Sequence, residues 1–275
     1  GAARSVSGFG MAPEFLWVKK RSAAENHALY DIVRGASKRL ESNTTIAEDT
    51  ESGGMSAFDA DGFSISGAND RVNTNGATYV AWAWNAGGST VTNTSGSISA
   101  QVRANATAGF SVVTYTGTGA NATVGHGLGV APSMYIVKAR SIAGQNWGTY
   151  HKAIDPTSPQ NYVVALNLTV AKTTSSTYWN NTAPTSTVFS VGTDTSANNN
   201  GSTYVAYCFA PVAGYSAFGS YTGNGSSDGP FVYLGFRPRY IMLKMTNTSG
   251  YDWVVYDTAR ATSNVVITNL ARSEE

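Results

Sequence analysis

Carboxylates, the groups most needed for hydrolytic chemistry, are scarce in this sequence. Between Arg71 and Gly250 the acidic residues are Asp155, Asp194 and Asp228, and Glu is absent from 52 to 273. Glycoside hydrolysis uses two carboxyl groups roughly 5–10 Å apart, one of them held as an acid by a raised pKa. Asp155 and Asp194 are the available pair, but each stands in a turn-like context, Asp155-Pro156 and Gly192-Thr193-Asp194-Thr195. Turn aspartates bond their own backbone, and that reading outweighs catalysis. Asp59-Ala60-Asp61-Gly62 opens like a calcium loop but lacks the later Glu, so it too reads as a turn. His27, His126 and His151 share no ligand spacing, and no metal site is expected. His126 lies in the Gly-rich stretch Val124–Gly129, where no Walker lysine follows, and this reads as a structural turn. Cys208 is the single cysteine; it excludes an internal disulfide and reads as a small buried hydrophobe. No Gly-x-Ser-x-Gly elbow occurs. The chain therefore reads as a non-enzyme without a cofactor.

Aromatic residues offer a second kind of chemistry. Trp147, Tyr178, Trp179 and Trp253 lie among Asn, Thr, Ser and Gly rather than in apolar runs. Flat rings in such surroundings stack on sugars, so these four are the candidate glycan-binding residues. The competing reading places Trp147 and Trp253 in the core, because each stands three residues before a tyrosine, Tyr150 or Tyr256. Tyr178-Trp179-Asn180-Asn181 has no counterpart early in the chain and reads as loop-borne.

The elements that must position these residues are strands. Only 13% of the chain is charged, against 42% apolar and 11% aromatic, and the formal net charge is +1. That balance provides no footprint for nucleic acid. No run of 18 apolar residues is present, so no membrane insertion is expected. Three segments align. Gly10-Met11-Ala12-Pro13 with Leu16-Trp17-Val18-Lys19 matches Gly129-Val130-Ala131-Pro132 with Tyr135-Ile136-Val137-Lys138, 119 residues on. Gly235-Phe236-Arg237-Pro238 with Ile241-Met242-Leu243-Lys244 follows 106 residues later. A closing strand recurs as Thr78-Tyr79-Val80-Ala81-Trp82 and Thr203-Tyr204-Val205-Ala206-Tyr207. The pattern predicts an all-β chain of tandem β-sandwich, jelly-roll-like repeats of roughly 105–120 residues.

The expected boundaries are 1–86 for a first repeat and 108–213 for a complete second one. Residues 214–275 form a truncated third, and 87–107 a Ser/Thr-rich linker or edge strand, with strand preferred because Ser97–Val102 alternates. Lys19 and Lys138 read as equivalent outward positions of their strands, and Ser22–Leu29 as a short helix. The first copy lacks the lead-in strand matching Gly109–Gly117, and the last lacks the strand matching Tyr204–Phe209. Open edges call for a partner, either the rest of a longer array or another chain.

Several phrases together resemble a repeat family of tail-fibre and other virion structural proteins of marine tailed bacteriophages. They include Leu16-Trp17-Val18-Lys19-Lys20-Arg21, Leu29-Tyr30-Asp31-x-Val33-Arg34-Gly35, Phe58-Asp59-x-Asp61-Gly62-Phe63 and Val72-Asn73-Thr74-Asn75-Gly76. Further on come Val124–Gly129, Tyr178-Trp179-Asn180, Tyr204–Phe209 and Tyr256-Asp257-Thr258-Ala259-Arg260. The resemblance spans essentially the whole chain and implies a non-enzymatic virion component, a tail fibre or appendage engaged in host attachment, displayed outside the cell. It implies contacts with other virion proteins, and phage fibres are commonly symmetric, so a homo-oligomer, with a trimer foremost, is expected. The alternative is a carbohydrate-binding module of an adhesin contacting a host-surface glycan. A polysaccharide-cleaving depolymerase ranks third.

Overall fold

β-branched and aromatic runs separated by Gly and Asn turns build, in the computed structural model, an almost wholly β molecule, 35% strand and 3% helix. The structure describes residues 1–261 and 264–274. The first stretch carries β1 (Arg4–Ser7), β2 (Phe15–Lys20), β3 (Ala28–Asp31), β4 (Lys38–Arg39), β5 (Asp49–Thr50), β6 (Met55–Asp59), β7 (Gly62–Ile65) and β8 (Tyr79–Trp84). The middle carries β9 (Val91–Asn93), β10 (Ala100–Asn105), β11 (Phe110–Thr116), β12 (Ala122–Gly125), β13 (Met134–Ala139), β14 (Gly148–His151), β15 (Tyr162–Ala165), β16 (Thr173–Thr174), β17 (Val188–Val191) and β18 (Thr203–Phe209). Then follow β19 (Tyr240–Lys244), β20 (Trp253–Asp257) and β21 (Val266–Ile267).

The strands assemble into several antiparallel sheets. The largest has the order β16-β15-β14-β13-β18-β11-β10-β9, flanked in the chain by β3-β2-β8 before it and β19-β20-β21 after it. The hairpins entered after Pro13, Pro132 and Pro238 hold one register: Leu16 opposes Tyr30, Tyr135 opposes Tyr150, and Ile241 opposes Tyr256. On the other side of the first strand, Lys19 opposes Val80 in β8 and Lys138 opposes Val205 in β18. β19 has no such neighbour among the described residues.

Side chains alternate across each strand, so each sheet has two faces to cover. One face of β2–β3 packs Leu16, Val18 and Tyr30 on Phe63 and Ile65 of the small sheet β1-β7-β6. The matching face of the large sheet packs Tyr135, Val137 and Tyr150 on Phe189 and Val191 of the β12-β17 pair. The opposite faces of all three sheets meet in one shared core. Phe15, Trp17 and Trp82 lie there with Ile136, Trp147, Val205 and Tyr207, and with Trp253, Val255 and Val266.

Three local expectations are corrected. Lys19 and Lys138 are not outward but buried, at 1% and 0% exposure, because strand alternation sets them on the shared-core face with Trp17 and Ile136. Residues 22–27 form a bend and irregular backbone leading into β3, which takes Ala28 and Leu29, rather than a helix. Eight residues hold a helix poorly in isolation. Here the local donors go elsewhere: Asn26 Nδ2 donates to Glu41 Oε2 at 2.7 Å, and the His27 amide donates to Asn43 Oδ1 at 3.0 Å. Lastly, the strand preferred over a linker around Ser97–Val102 is present as β10 but starts at Ala100, with Ile98 in a parallel bridge to Val124 and β9 at the edge instead.

Candidate functional site

None of the four aromatic candidates offers a ring to solvent. Trp147 and Trp179 are 0% exposed, Trp253 5% and Tyr178 9%. The expected glycan-stacking platform is corrected accordingly, and the core reading of Trp147 and Trp253 holds: each ring is held inside by packing and by its polar atom. Tyr178 lies against β14 where Gly148 leaves room, since a Cβ there would stand 2.3 Å from Tyr178 Cε1. Trp179 Nε1 donates to the Tyr162 carbonyl at 3.0 Å, and its ring meets Tyr135 edge-on. A Trp with its N–H satisfied and its ring in a close-packed core is a structural residue.

The sequence-predicted carboxylates and histidines are each engaged with backbone groups, some within their own turn and some far along the chain. Asp155 Oδ1 accepts from the amides of Thr157 and Ser158 at 3.1 and 3.0 Å, and Lys172 donates to Oδ2 at 3.1 Å. These bonds hold its carboxyl well below the usual range, the Ser158 and Thr157 amides first. Asp194 caps the one-turn helix α1 (Thr195–Asn198), accepting from the Ser196 amide at 2.8 Å. Asp61 takes the amides of Gly8 and Gly10 at 3.0 and 2.6 Å. His126 Nε2 lies 3.1 Å from the Thr185 carbonyl. Among the described residues no group of three His, Cys, Asp or Glu could hold a metal ion.

What sequence reasoning missed is a circuit of bonds linking the three sheets. Trp147 Nε1 donates to the carbonyls of Glu41 and Thr44 at 2.9 and 3.2 Å. Trp253 Nε1 donates to the Ala165 carbonyl at 2.9 Å. His27 occupies the corresponding place before β3. Its Nδ1 accepts from Trp17 Nε1 at 2.8 Å, which assigns the proton to Nε2, 2.9 Å from the Ile267 carbonyl. Glu41, Ala165 and Ile267 each directly follow a residue paired to the hairpin, namely Leu40, Val164 and Val266. The backbone closes the same circuit in the other direction. Glu48 N donates to Arg140 O at 2.7 Å, Lys172 N to Thr246 O at 2.8 Å, and Glu274 N to Arg21 O at 3.0 Å. The first sheet is thus tied to the last, the last to the middle and the middle to the first. A signal existed in the constant spacing of His27, Trp147 and Trp253 before Tyr30, Tyr150 and Tyr256.

Charge reinforces two of the three junctions. Asp31 and Arg34 form a fully buried ion pair, and the Tyr207 hydroxyl donates to Asp31 Oδ2 at 2.8 Å. Burial alone would lower the Arg34 pKa, but Asp31, Tyr207 and Glu48 outweigh it and raise the value. Asp257 and Arg260 pair in the same way at 2.7 Å, and Trp82 Nε1 donates to Asp257 Oδ2 at 3.0 Å. In the middle hairpin the corresponding residues are His151 and Ile154, and Lys172 donates to the Ile154 carbonyl at 2.9 Å. Burial, then Lys152, pushes His151 down to about 4. The lysines of the aligned segments end on carbonyls: Lys138 Nζ on Gln145 at 2.7 Å and Thr45 at 3.4 Å, Lys244 Nζ on Tyr251 at 2.6 Å and Thr169 at 3.3 Å. Burial lowers Lys138 and Lys19 to about 8, with Glu25 opposing the shift at Lys19.

A family described as a domain of unknown function, DUF7483, matches residues 1–275. The chain belongs to that family. No curated protein and no solved structure matches it. No helix among the described residues is long and apolar enough to cross a membrane.

The surface that stands out physically is the last part of the chain. Residues 217–239 contain no strand, and Phe231 and Tyr233 are 89% and 83% exposed. Tyr215, Tyr221, Val232, Ile241, Met245 and Tyr251 are also exposed. This part of the chain holds most of the large apolar side chains that the described residues expose.

Proposed function

We propose that this chain is a non-enzymatic structural component of a phage virion, a tail-fibre or appendage protein displayed outside the cell and taking part in host attachment. In this reading it is made of tandem copies of one β-sandwich unit, the terminal ones incomplete, tied to one another in a ring. The observation that carries it is the bond circuit: His27, Trp147 and Trp253 each reach the corresponding carbonyl of another copy, at Ile267, Glu41 and Ala165. Buried polar groups that would serve chemistry in an enzyme are engaged here in holding sheets to one another. Asp155 and Asp194 support the same reading, since each accepts backbone amides of its own turn and Asp155 is also paired with Lys172. The likeness to virion repeat proteins over the whole length supplies the virion setting.

Virion assembly also calls for partners, namely other virion proteins and further copies of the chain. A threefold pseudo-symmetric subunit suits a threefold fibre, and self-association would sediment as a multiple of 28.8 kDa. Peptide mass spectrometry and antibody labelling of purified virions, from the phage whose genome encodes the chain, test the reading. The chain should be found at a fixed stoichiometry on an external appendage, and its absence from virions would overturn the proposal. A second reading, carbohydrate binding, rests on Phe231 and Tyr233, which stand exposed beside Gly223–Pro230. Binding on a glycan array that is abolished by replacing both rings with Ala would favour it.

A further inference from the structure

We propose that the free edge of β19 is a strand acceptor. Its occupant is an antiparallel strand bearing the Thr-Tyr-Val-Ala-aromatic pattern of β8 and β18, supplied by polypeptide outside residues 1–275. The occupant is read from the molecule itself. β2 and β13 hold the same hairpin register as β19, and each is bordered on its far side by such a strand. Trp17 then opposes Trp82 and Ile136 opposes Tyr207, while Lys19 and Lys138 oppose Val80 and Val205. Carrying that register over sets Met242 opposite the aromatic residue and Lys244 opposite the valine.

Three further observations fit this occupant. β2 is buried along its whole length, whereas β19 has no buried residue. A strand edge with unpaired N–H and C=O groups is a template for pairing. The segment from Gly214 to Gly223 resembles Gly109–Gly117 in sequence; there β11 pairs with the far edge of β18, register Tyr115 to Tyr204. In the last part of the chain this segment is not a strand, and Tyr215 and Tyr221 are exposed. The strand that β11 needs beside it is the one β19 also lacks. An incoming strand would be held from both sides, by β19 and by residues 215–222. Its aromatic residue would come opposite His151, the place corresponding to Asp31 and Asp257, which receive Tyr207 and Trp82.

The inference does not depend on a virion setting and is tested on the 275-residue chain alone. A fluorescein-labelled peptide of the sequence of residues 202–210, with Ala for the cysteine and two terminal lysines for solubility, is titrated by anisotropy. Hydrogen exchange is then followed with and without saturating peptide. Saturable binding with a dissociation constant on the order of micromolar is expected. Exchange should slow in 240–244 and 215–222. A peptide with Pro in place of the residue matching Ala206 should bind at least about tenfold more weakly, since Pro cannot donate to the ladder. No saturable binding, equal binding of the Pro peptide, or protection confined to β8 would each overturn the proposal.

Discussion

Among the described residues β13 lies between two neighbours and β19 beside one, although the hairpins they open share a register. The aligned residues consequently live in different surroundings. Tyr135 is fully buried under the β12-β17 pair, while Ile241, its counterpart, is 37% exposed. Lys138 has no exposed surface, whereas Lys244 is part-exposed with carbonyl partners in the same places. What the two hairpins do share is the face toward the common core, where Trp147 and Trp253 hold equivalent bonds. The contrast shows that a hairpin register follows from local pattern and turn chemistry, while burial depends on which sheets arrive from elsewhere.

Replacing Trp147 with Ala tests the contrast most severely. The ring is fully buried and bridges two sheets, so the loss should be about 3–5 kcal/mol, read from urea denaturation. Trp253→Ala makes a similar cavity, but with one sheet edge free it should speed hydrogen exchange mainly in 240–267. Equal, global loss from both variants would erase the distinction between the two regions.

Breaking a sealed ion pair should cost nearly as much. Asp31→Asn removes the sealed partner of the buried Arg34 guanidinium and leaves it only Glu48 as a charged partner, with an expected cost of about 3 kcal/mol. By contrast, the double change Asp257→His with Arg260→Ile imports the middle hairpin's residues. It should fall within about 1.5 kcal/mol of the parent, because a whole pair replaced by apolar or neutral groups is often near neutral. A larger loss from the double variant would mean that the two junctions are not interchangeable.

Acid acts on the histidines of the first and middle hairpins, His27 and His151, whereas the last hairpin carries Asp257 in the place of His151. Burial, then Lys19, lowers His27 to about 3, while the unfolded imidazole titrates near 6.5. Below that unfolded value the unfolded chain takes up a proton that the folded one refuses, so stability falls as pH drops from about 6.5 toward 3. The expected loss by pH 4.5 is roughly 1–3 kcal/mol. Glu48, held low by Arg140 and Arg34 against burial, contributes its loss only below the unfolded carboxylate value. Denaturation midpoints from pH 7 to 5 should therefore slope in the parent and slope less in His27→Gln. Parallel slopes would remove His27 from the account.

Alkali compares the middle with the last hairpin. With folded lysine values near 8 against 10.5 unfolded, the unfolded chain holds the extra proton between these limits, so stability rises with pH across that window. Above about 10 the buried tyrosines, whose values burial raises, reverse the trend. Lys138→Met should flatten the rise between pH 8 and 9.5 by roughly 1 kcal/mol, and Lys244→Met by less. The smallest effects belong to the turn aspartates. Asp194→Asn should cost under about 1 kcal/mol, as an Asn still caps a helix, and neither it nor Asp155→Asn should alter reducing-sugar release from any polysaccharide tested.

Much of this was legible from the residues alone. Period-two alternation and β-branched runs marked the hairpins, and the recurring Pro and Lys at fixed spacing aligned segments whose registers prove equal. Cys208 as a buried hydrophobe also followed from its apolar neighbours. Aspartate beside Pro156 or before Thr195 could be assigned to a turn because such bonds span two or three residues. The faces were harder. Trp147, Tyr178, Trp179 and Trp253 sit among polar neighbours in sequence, yet their burial comes from partners far along the chain. Trp147 reaches Glu41 and Trp253 reaches Ala165, 106 and 88 residues away. Lys19 and Lys138 misled for the same reason: a charged residue in a strand faces outward unless distant carbonyls receive it. The sequence by itself therefore determined strand, turn and hairpin, whose causes lie within a few residues. Only the tertiary structure decided which faces are interior and which edge stays open, because desolvation and backbone pairing depend on segments brought together from the whole chain.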